Sequence, residues 1–428
     1  MQFLYKNNSG TSKLSISSAI EKLTPYIEIC KGTAQNKDYT KNEASLCLVS
    51  DEEMQKQVNA LIEKKKINNL KYIITVGIGG SNLGTKAIYD AIYGQVDHLQ
   101  PERYPKILFL DTTNPEFIFH FAQFFEALSL REDEVIVNII SKSGTNTEPA
   151  VNGEIVIEIL KKKFNDWKKT CVVTTDKNSP LWNSAVELGI DVLEIPKNVG
   201  GRYSVFSAVG LFPLALCGVD IKNLLSSASK MRDLCLQKNE HNNALISAAI
   251  LYEQLTNKGV VINDNFYFNS ELESLGKWYR QLMGESTGKN GIGLTPTISI
   301  GSADLHSVVQ LYLGGPKNKY TSFVYSSKDR EYKLPSTNTL ACIKEIEGKS
   351  VGDVMDAIRN GTTTAYKKLN LPYTETIFEG ISAGEIGAYM QFKMMEIMYL
   401  SQLMRVNAFD QPQVELYKIE TKKILAKK

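Results

Sequence analysis

Apolar and polar positions alternate along this chain in two grains. From Tyr72 onward, short β-branched runs recur between segments of helical spacing: YIITV from Tyr72, ILFL from Ile107, VIVNII from Val135, CVVTT from Cys171 and VLEI from Val192. Runs without polar alternation suit strands covered on both faces, and the helical segments between them supply the crossovers that parallel strands need. The pattern therefore predicts βαβ units on a parallel sheet. Val151, Ile155 and Ile159 fall four apart just after Pro149, which marks one apolar helical stripe.

A sparser alternation, VVIN from Val260, TISI from Thr297, SFVY from Ser322 and IF from Ile377, predicts a second α/β lobe. Residues 206–256 carry Ala, Leu and Ser at helical spacing and read as a helical connector. The lysine-rich first 70 residues read as helical and peripheral. Residues 383–404 form a long helical stretch with Met390, Met394, Met395, Met398 and Met404, expected in the core or at a subunit interface. The expected division is a helical segment 1–70, a first lobe 71–205, a connector 206–256, a second lobe 257–405 and a C-terminal segment 406–428.

Composition narrows the function. A chain of 428 residues exceeds the size at which one core keeps growing, so two lobes and a cleft between them are expected. Lys plus Arg number 49 against 47 Asp plus Glu, and a net charge of +2 supplies no field for nucleic acid or an anionic membrane. The basic runs Lys64–Lys66 and Lys161–Lys163 each close an apolar-periodic segment and read as solvated helix ends. Cys30, Cys47, Cys171, Cys217, Cys235 and Cys342 are scattered, without a CxxC pair or a nearby histidine cluster, so zinc and dithiol chemistry are not expected and no metal is assigned. The N-terminal residues lack a signal-like apolar core and no apolar run reaches membrane-spanning length, which makes the cytoplasm the expected compartment.

Four motifs carry candidate chemistry. GIGGSNLG, residues 77–84, follows a strand and precedes a helix, as a backbone cradle does at a strand's carboxyl end. Asn82 stands where a dinucleotide fingerprint needs its third glycine, and no strand-end acid follows, so a nicotinamide cofactor is disfavoured. SKSGTNTEP, residues 141–149, brings the hydroxyls of Ser141, Ser143, Thr145 and Thr147, the Lys142 charge and a helix N-terminus together, a combination suited to a phosphate dianion. Leu272, Leu275, Tyr279 and Leu282 line one helix face, which is expected to stop at Gly284 with Glu285 just beyond; a carboxylate there, if shielded, suits a general base. GESTGKN falls one residue short of a nucleotide P-loop and ends in Asn290. His306, in DLHSVVQ after the strand TISI, is one of only four histidines.

Together these segments resemble the glucose-6-phosphate isomerase family, in its short bacterial form. VGIGGSNLG, SKSGTNTEP, NVGGRYSVFSAVG from Asn198, QLMGESTGKNG from Gln281, DLHSVVQ from Asp304 and NAFDQPQVELYK from Asn407 stand in that family's order and spacing between Val76 and Lys418. The resemblance implies two sugar-isomerase (SIS) lobes, each a five-stranded parallel sheet flanked by helices, with helical terminal segments. It also implies an aldose–ketose isomerase without a cofactor. Glu285 then resembles the base that moves a proton between C2 and C1, and Arg202 the cation beside the enediolate. His306 and Lys418 resemble the pair that opens the sugar ring. Gly80, Ser81, Gln281 and Gln411 match substrate contacts, and Ser141, Lys142, Ser143 and Thr145 match the phosphate loop. A homodimer is implied, with His306 supplied across the interface. Asn146, Pro149, Met283, Ala408 and Gln413 depart from common family residues, mostly in packing and turns.

Moving a proton between adjacent sugar carbons needs a base, a cation for the enediolate oxygen and a way to open the ring, and these residues cover all three. A bifunctional phosphoglucose/phosphomannose isomerase, a non-catalytic sugar-phosphate-binding protein, a secreted signalling role and a nicotinamide-dependent dehydrogenase are the alternatives.

Overall fold

A computed structural model describes residues 1–65, 68–336 and 343–427. The apolar runs become β2 (Tyr72–Val76), β3 (Lys106–Leu110), β4 (Val135–Ile140), β5 (Cys171–Thr175) and β6 (Asp191–Glu194), after a short β1 (Gln2–Leu4). The later runs become β7 (Ile262–Tyr267), β8 (Thr295–Ile300), β9 (Lys319–Ser326) and β10 (Tyr373–Phe378). β2 to β6 form one sheet in the order β3-β2-β4-β5-β6, parallel throughout. Every residue of β4 and β5 is buried, as strands covered by helices on both faces require.

The second sheet has the order β1-β10-β9-β7-β8. Four of its strands are parallel, and the fifth is β1, which pairs antiparallel with β10 through Gln2 and Ile377. The N-terminal residues thus complete a sheet where only helix was expected. The helix Lys13–Asn36 is not peripheral either, since Leu23, Ile27 and Cys30 are fully buried. A three-residue edge strand carries too few positions to show a period of two.

In the first sheet the chain leaves β2 for β3 on one side and returns for β4 on the other. The loops after β2 and β4 therefore diverge, opening a crevice at the strands' carboxyl ends. The helix Glu273–Thr287, from the second lobe, packs against the helix Leu83–Tyr93 of the first and closes one side of that crevice.

Behind it runs the helix Ala383–Met404, buried on nearly every face and packed on the helices Ile221–Cys235 and Asn243–Asn257. Its five methionines lie in the core, as expected. The core also holds an ion pair, Lys393 Nζ to Glu396 Oε2 at 2.8 Å, and Glu396 accepts further bonds from Ser247 Oγ and Tyr279 Oη, both at 2.5 Å. A buried carboxylate is tolerable because each oxygen has a donor, and the Tyr279 bond ties the cleft helix to the core.

The basic runs close helices as read: Lys64 and Lys65 end Glu52–Lys65, and Lys161–Lys163 end Thr147–Lys163. Lys66 and Cys342 lie outside the described residues. The other five cysteines are buried free thiols. Among the described residues no helix is long and apolar enough to cross a membrane.

Candidate active site

The strand β2 runs into the glycine-rich loop, which turns through Gly79–Ser81 before the helix Leu83–Tyr93. Gly80 lies directly against the backbone of Gly201. A Cβ there would stand 2.0 Å from the Gly201 carbonyl carbon and 2.5 Å from the Arg202 nitrogen. Only a residue without a side chain permits this approach, and Ser204 Oγ fastens it by donating to Gly80 O at 3.3 Å. The contact delivers Arg202 to the cleft floor.

Arg202 is 2% exposed and uses all five of its N–H groups. Nε donates to Ser286 Oγ (2.8 Å), Nη1 to Glu285 Oε2 (3.0 Å) and Gln411 Oε1 (2.8 Å), and Nη2 to Ala408 O (2.6 Å) and Asp410 O (3.0 Å). A guanidinium can leave water only with such complete pairing. The other carboxylate oxygen of Glu285 accepts from Gln281 Nε2 at 3.0 Å, one helical turn earlier. Glu285 is thus held from both sides, with its side chain still 29% exposed toward the cleft.

The helix bearing Glu285 does not stop at Gly284. It continues to Thr287, so Glu285 sits inside the last turn instead of past it. An interior glycine costs a helix only ~1 kcal/mol, and the Lys289 ammonium takes the otherwise unpaired carbonyls of Glu285 (3.0 Å) and Ser286 (2.9 Å).

At the far end, β4 runs into residues 141–146. Gly144 adopts φ +67°, and its N–H returns to Ser141 O at 3.1 Å. Ser143 Oγ and Thr145 Oγ1 lie 3.0 Å apart, and the helix Thr147–Lys163 begins at Asn146 without a side-chain cap, leaving its first N–H groups open toward the cleft. Ser141 does not join them. It is 2% exposed beneath the loop, its Oγ accepting from Asn146 Nδ2 at 3.4 Å and its carbonyl from Thr175 Oγ1 at 2.6 Å, so it braces the loop.

Lys142 and Asp176 share this end. Burial pulls the Lys142 ammonium below the ordinary lysine range and pushes the Asp176 carboxyl up to about 6. One Asp176 oxygen, Oδ1, is buried without a hydrogen-bond partner.

Gly80, Ser81, Lys142, Ser143, Thr145, Arg202, Gln281, Glu285, Gln411 and Lys418 all line one cleft of about 610 Å³. The helix Pro412–Leu425 forms its outer wall, where Lys418 Nζ pairs with Glu415 Oε1 at 2.9 Å. His306 does not line the cleft of its own chain. It is exposed on the turn Ala303–His306 after β8, and Asp304 grips that turn by accepting from Ile300 N–H and Ser307 Oγ, both at 2.7 Å.

Sequence reasoning passed over Asp176, Ser286 and Lys289. The lysine had a visible signal in GESTGK, a cation just beyond a helix end; the other two had none, since neither charge pattern nor period marks them. Among the described residues no three His, Cys, Asp or Glu side chains gather as a metal-ligand set. The arrangement offers a positioned carboxylate beside a buried cation, with a cluster of hydroxyls, an ammonium and open helix N–H groups across the cleft. It can hold an anion at one end while a proton moves at the other.

A family model described as phosphoglucose isomerase matches residues 52–428. The chain is similar to a glucose-6-phosphate isomerase of Methanocaldococcus jannaschii, at 32% identity over 369 residues that cover 84% of each chain. It is similar also to a probable glucose-6-phosphate isomerase of Methanococcus maripaludis, at 32% over 355 residues, 81% of this chain and 77% of that one. In three dimensions it resembles the crystal structure of a hypothetical protein from Thermus thermophilus, with a TM-score of 0.84 and 29% identity over 97% of this chain and 98% of that one.

Proposed function

This chain belongs to the phosphoglucose isomerase family, and from that premise we propose that it interconverts glucose 6-phosphate and fructose 6-phosphate, with Glu285 as the proton carrier. The observation that carries this reading is the Glu285 carboxylate, clasped by Arg202 and Gln281 across the cleft from an anion-binding loop.

Lys142, Ser143, Thr145 and the open N–H groups after Asn146 hold the phosphate, with Ser141 bracing the loop. Lys418, with His306, opens the ring by moving a proton between the C1 hydroxyl and the ring oxygen. Glu285 then takes the proton from C2 of the open aldose and returns it to C1. Arg202 stands beside the enediolate oxygen that is charged only in between, and Gly80, Ser81, Gln281 and Gln411 orient the hydroxyls. The step is redox-neutral, since C1 gains the hydrogen that C2 loses, and as proposed it consumes no electron carrier.

His306 lies away from its own cleft, which supports a homodimer in which the partner subunit supplies that histidine. The proposed compartment is the cytoplasm, in keeping with five buried free thiols. The proposed units are two sugar-isomerase lobes, 71–205 and 257–405, with the connector 206–256 and terminal segments 1–70 and 406–428. A coupled assay on the purified protein tests the reaction. Turnover of glucose 6-phosphate and fructose 6-phosphate is expected; equal turnover of mannose 6-phosphate would mark a bifunctional enzyme, and no turnover of any hexose phosphate would sink the reading.

A further inference from the structure

Lys289 carries a charge, is 8% exposed, and has no part in the chemistry above. Its ammonium donates to three carbonyls, Glu285 O, Ser286 O and Asn407 O, and pairs with Asp410 Oδ1 at 3.2 Å. Two of those carbonyls end the Glu285 helix; the third and the Asp410 carboxylate belong to a turn far along the chain. Arg202 grips the same turn through Ala408 O and Asp410 O. The turn is closed on itself by Asn407 Nδ2 to Asp410 Oδ2 at 2.9 Å and Phe409 N–H to Asn407 Oδ1 at 3.0 Å.

This turn leads straight into Gln411 and the helix Pro412–Leu425, which buries none of its side chains. Within one chain only Val414, Lys418 and Thr421 of that helix are partly covered, along the cleft, so its firmest hold is at its base. Lys418 lies less than two turns along it, so a small rotation at Asn407–Asp410 would carry the Lys418 ammonium away from the sugar. Capping a helix end takes one or two donors to its own carbonyls; the bonds across to Asn407 and Asp410 exceed that need.

Building on the isomerase reading, we propose that Lys289 is a positioning residue: by clasping the end of the Glu285 helix to the Asn407–Asp410 turn, it holds Gln411 and Lys418 in register with the Glu285 carboxylate.

The full-length protein is assayed for isomerisation, and an inactive wild type would defeat the functional reading itself, separately from this proposal. Lys289→Met is expected to lower kcat by ~10- to 100-fold while KM stays within ~3-fold, because misplacement disturbs the reacting geometry more than ground-state binding. Lys289→Arg, which still donates to the carbonyls, should recover most of the loss. On a Lys418→Met background the further effect of Lys289→Met should shrink to within ~3-fold, since the lysine to be positioned is gone. Asp410→Asn cancels the charge facing Lys289 and leaves one acceptor oxygen where Lys289 and Asn407 now have one each, so it loosens the clasp from the turn's side and should lower kcat by ~3- to 10-fold; it decides the matter if Lys289→Met does not fold. A lowered Tm with unchanged kcat, a loss confined to KM, full additivity with Lys418→Met, or an unaffected kcat in Asp410→Asn would each overturn the proposal.

Discussion

The carboxylate of Glu285 has two donors, one per oxygen, and neither is water. Such a group is oriented before substrate arrives, which is where a positioned base has its advantage. Glu285→Gln keeps the size and can keep both neighbours, yet cannot accept a carbon-bound proton; isomerisation should fall by at least ~10²-fold with binding of an open-chain aldonate phosphate retained. Steady-state rates and calorimetric titration check this, and near-normal turnover would falsify the assignment. Asp176 gives a pH signature. Its carboxyl is raised by burial from 3.8 to about 6, so the folded state holds the proton more tightly than the unfolded chain. The stability contributed by that protonation is complete below the unfolded value and is lost as pH rises through about 6. Asp176→Asn should therefore gain on the wild type between pH ~4.5 and ~7.5, by ~1 kcal/mol once screening of a half-exposed carboxyl is discounted. Thermal melts at both pH values measure the difference, and a constant gap would refute it.

Two loops and two helices make the cleft, and each owes its place to a contact that its own sequence does not contain. The loop after β2 meets the turn Gly201–Tyr203 backbone to backbone at Gly80. Gly80→Ala puts a methyl group into the Gly201–Arg202 peptide, so the Arg202 turn must retreat and the guanidinium moves with it. A loss of kcat/KM of ~100-fold or more is expected while the far-UV circular dichroism stays native; wild-type kinetics in this variant would show that the approach is not needed. The helix Thr147–Lys163 starts without a side-chain cap, which leaves its dipole and first N–H groups able to meet an anion. SKSGTNTEP had marked this end from sequence, but Ser141 is buried beneath the loop instead of lining the cleft, because its Oγ and carbonyl are taken by Asn146 and Thr175.

At the scale of the whole molecule, the cleft of a single chain contains Glu285, Arg202, residues 142–146 and Lys418, and leaves His306 on the surface. If the partner subunit completes the site, two inactive variants complement each other. Mixing Glu285→Gln with His306→Ala, after dissociation and reassociation, should restore activity to about a quarter of the wild-type sites, because half the dimers are mixed and each has one intact site. No recovery on mixing would place His306 in its own subunit's site, and an active His306→Ala would place it outside the reaction. Much of this architecture was legible beforehand. Among the described residues, nine of the ten strands overlap runs visible in the sequence, because the period of a buried strand is a local property, though β7 keeps only Ile262 and Asn263 of its run and continues through the buried Asp264 and Asn265. Residues 141–146 and Glu285 were likewise singled out from contiguous residues. Tertiary structure alone decided the rest: β1 joining the second sheet as its edge, the Glu285 helix continuing past Gly284, and Arg202 meeting Glu285 and Gln411 across 83 and 209 positions of chain. Those depend on which distant backbone groups come within hydrogen-bonding reach, and that is set by how the two lobes pack, on which local spacing carries no information.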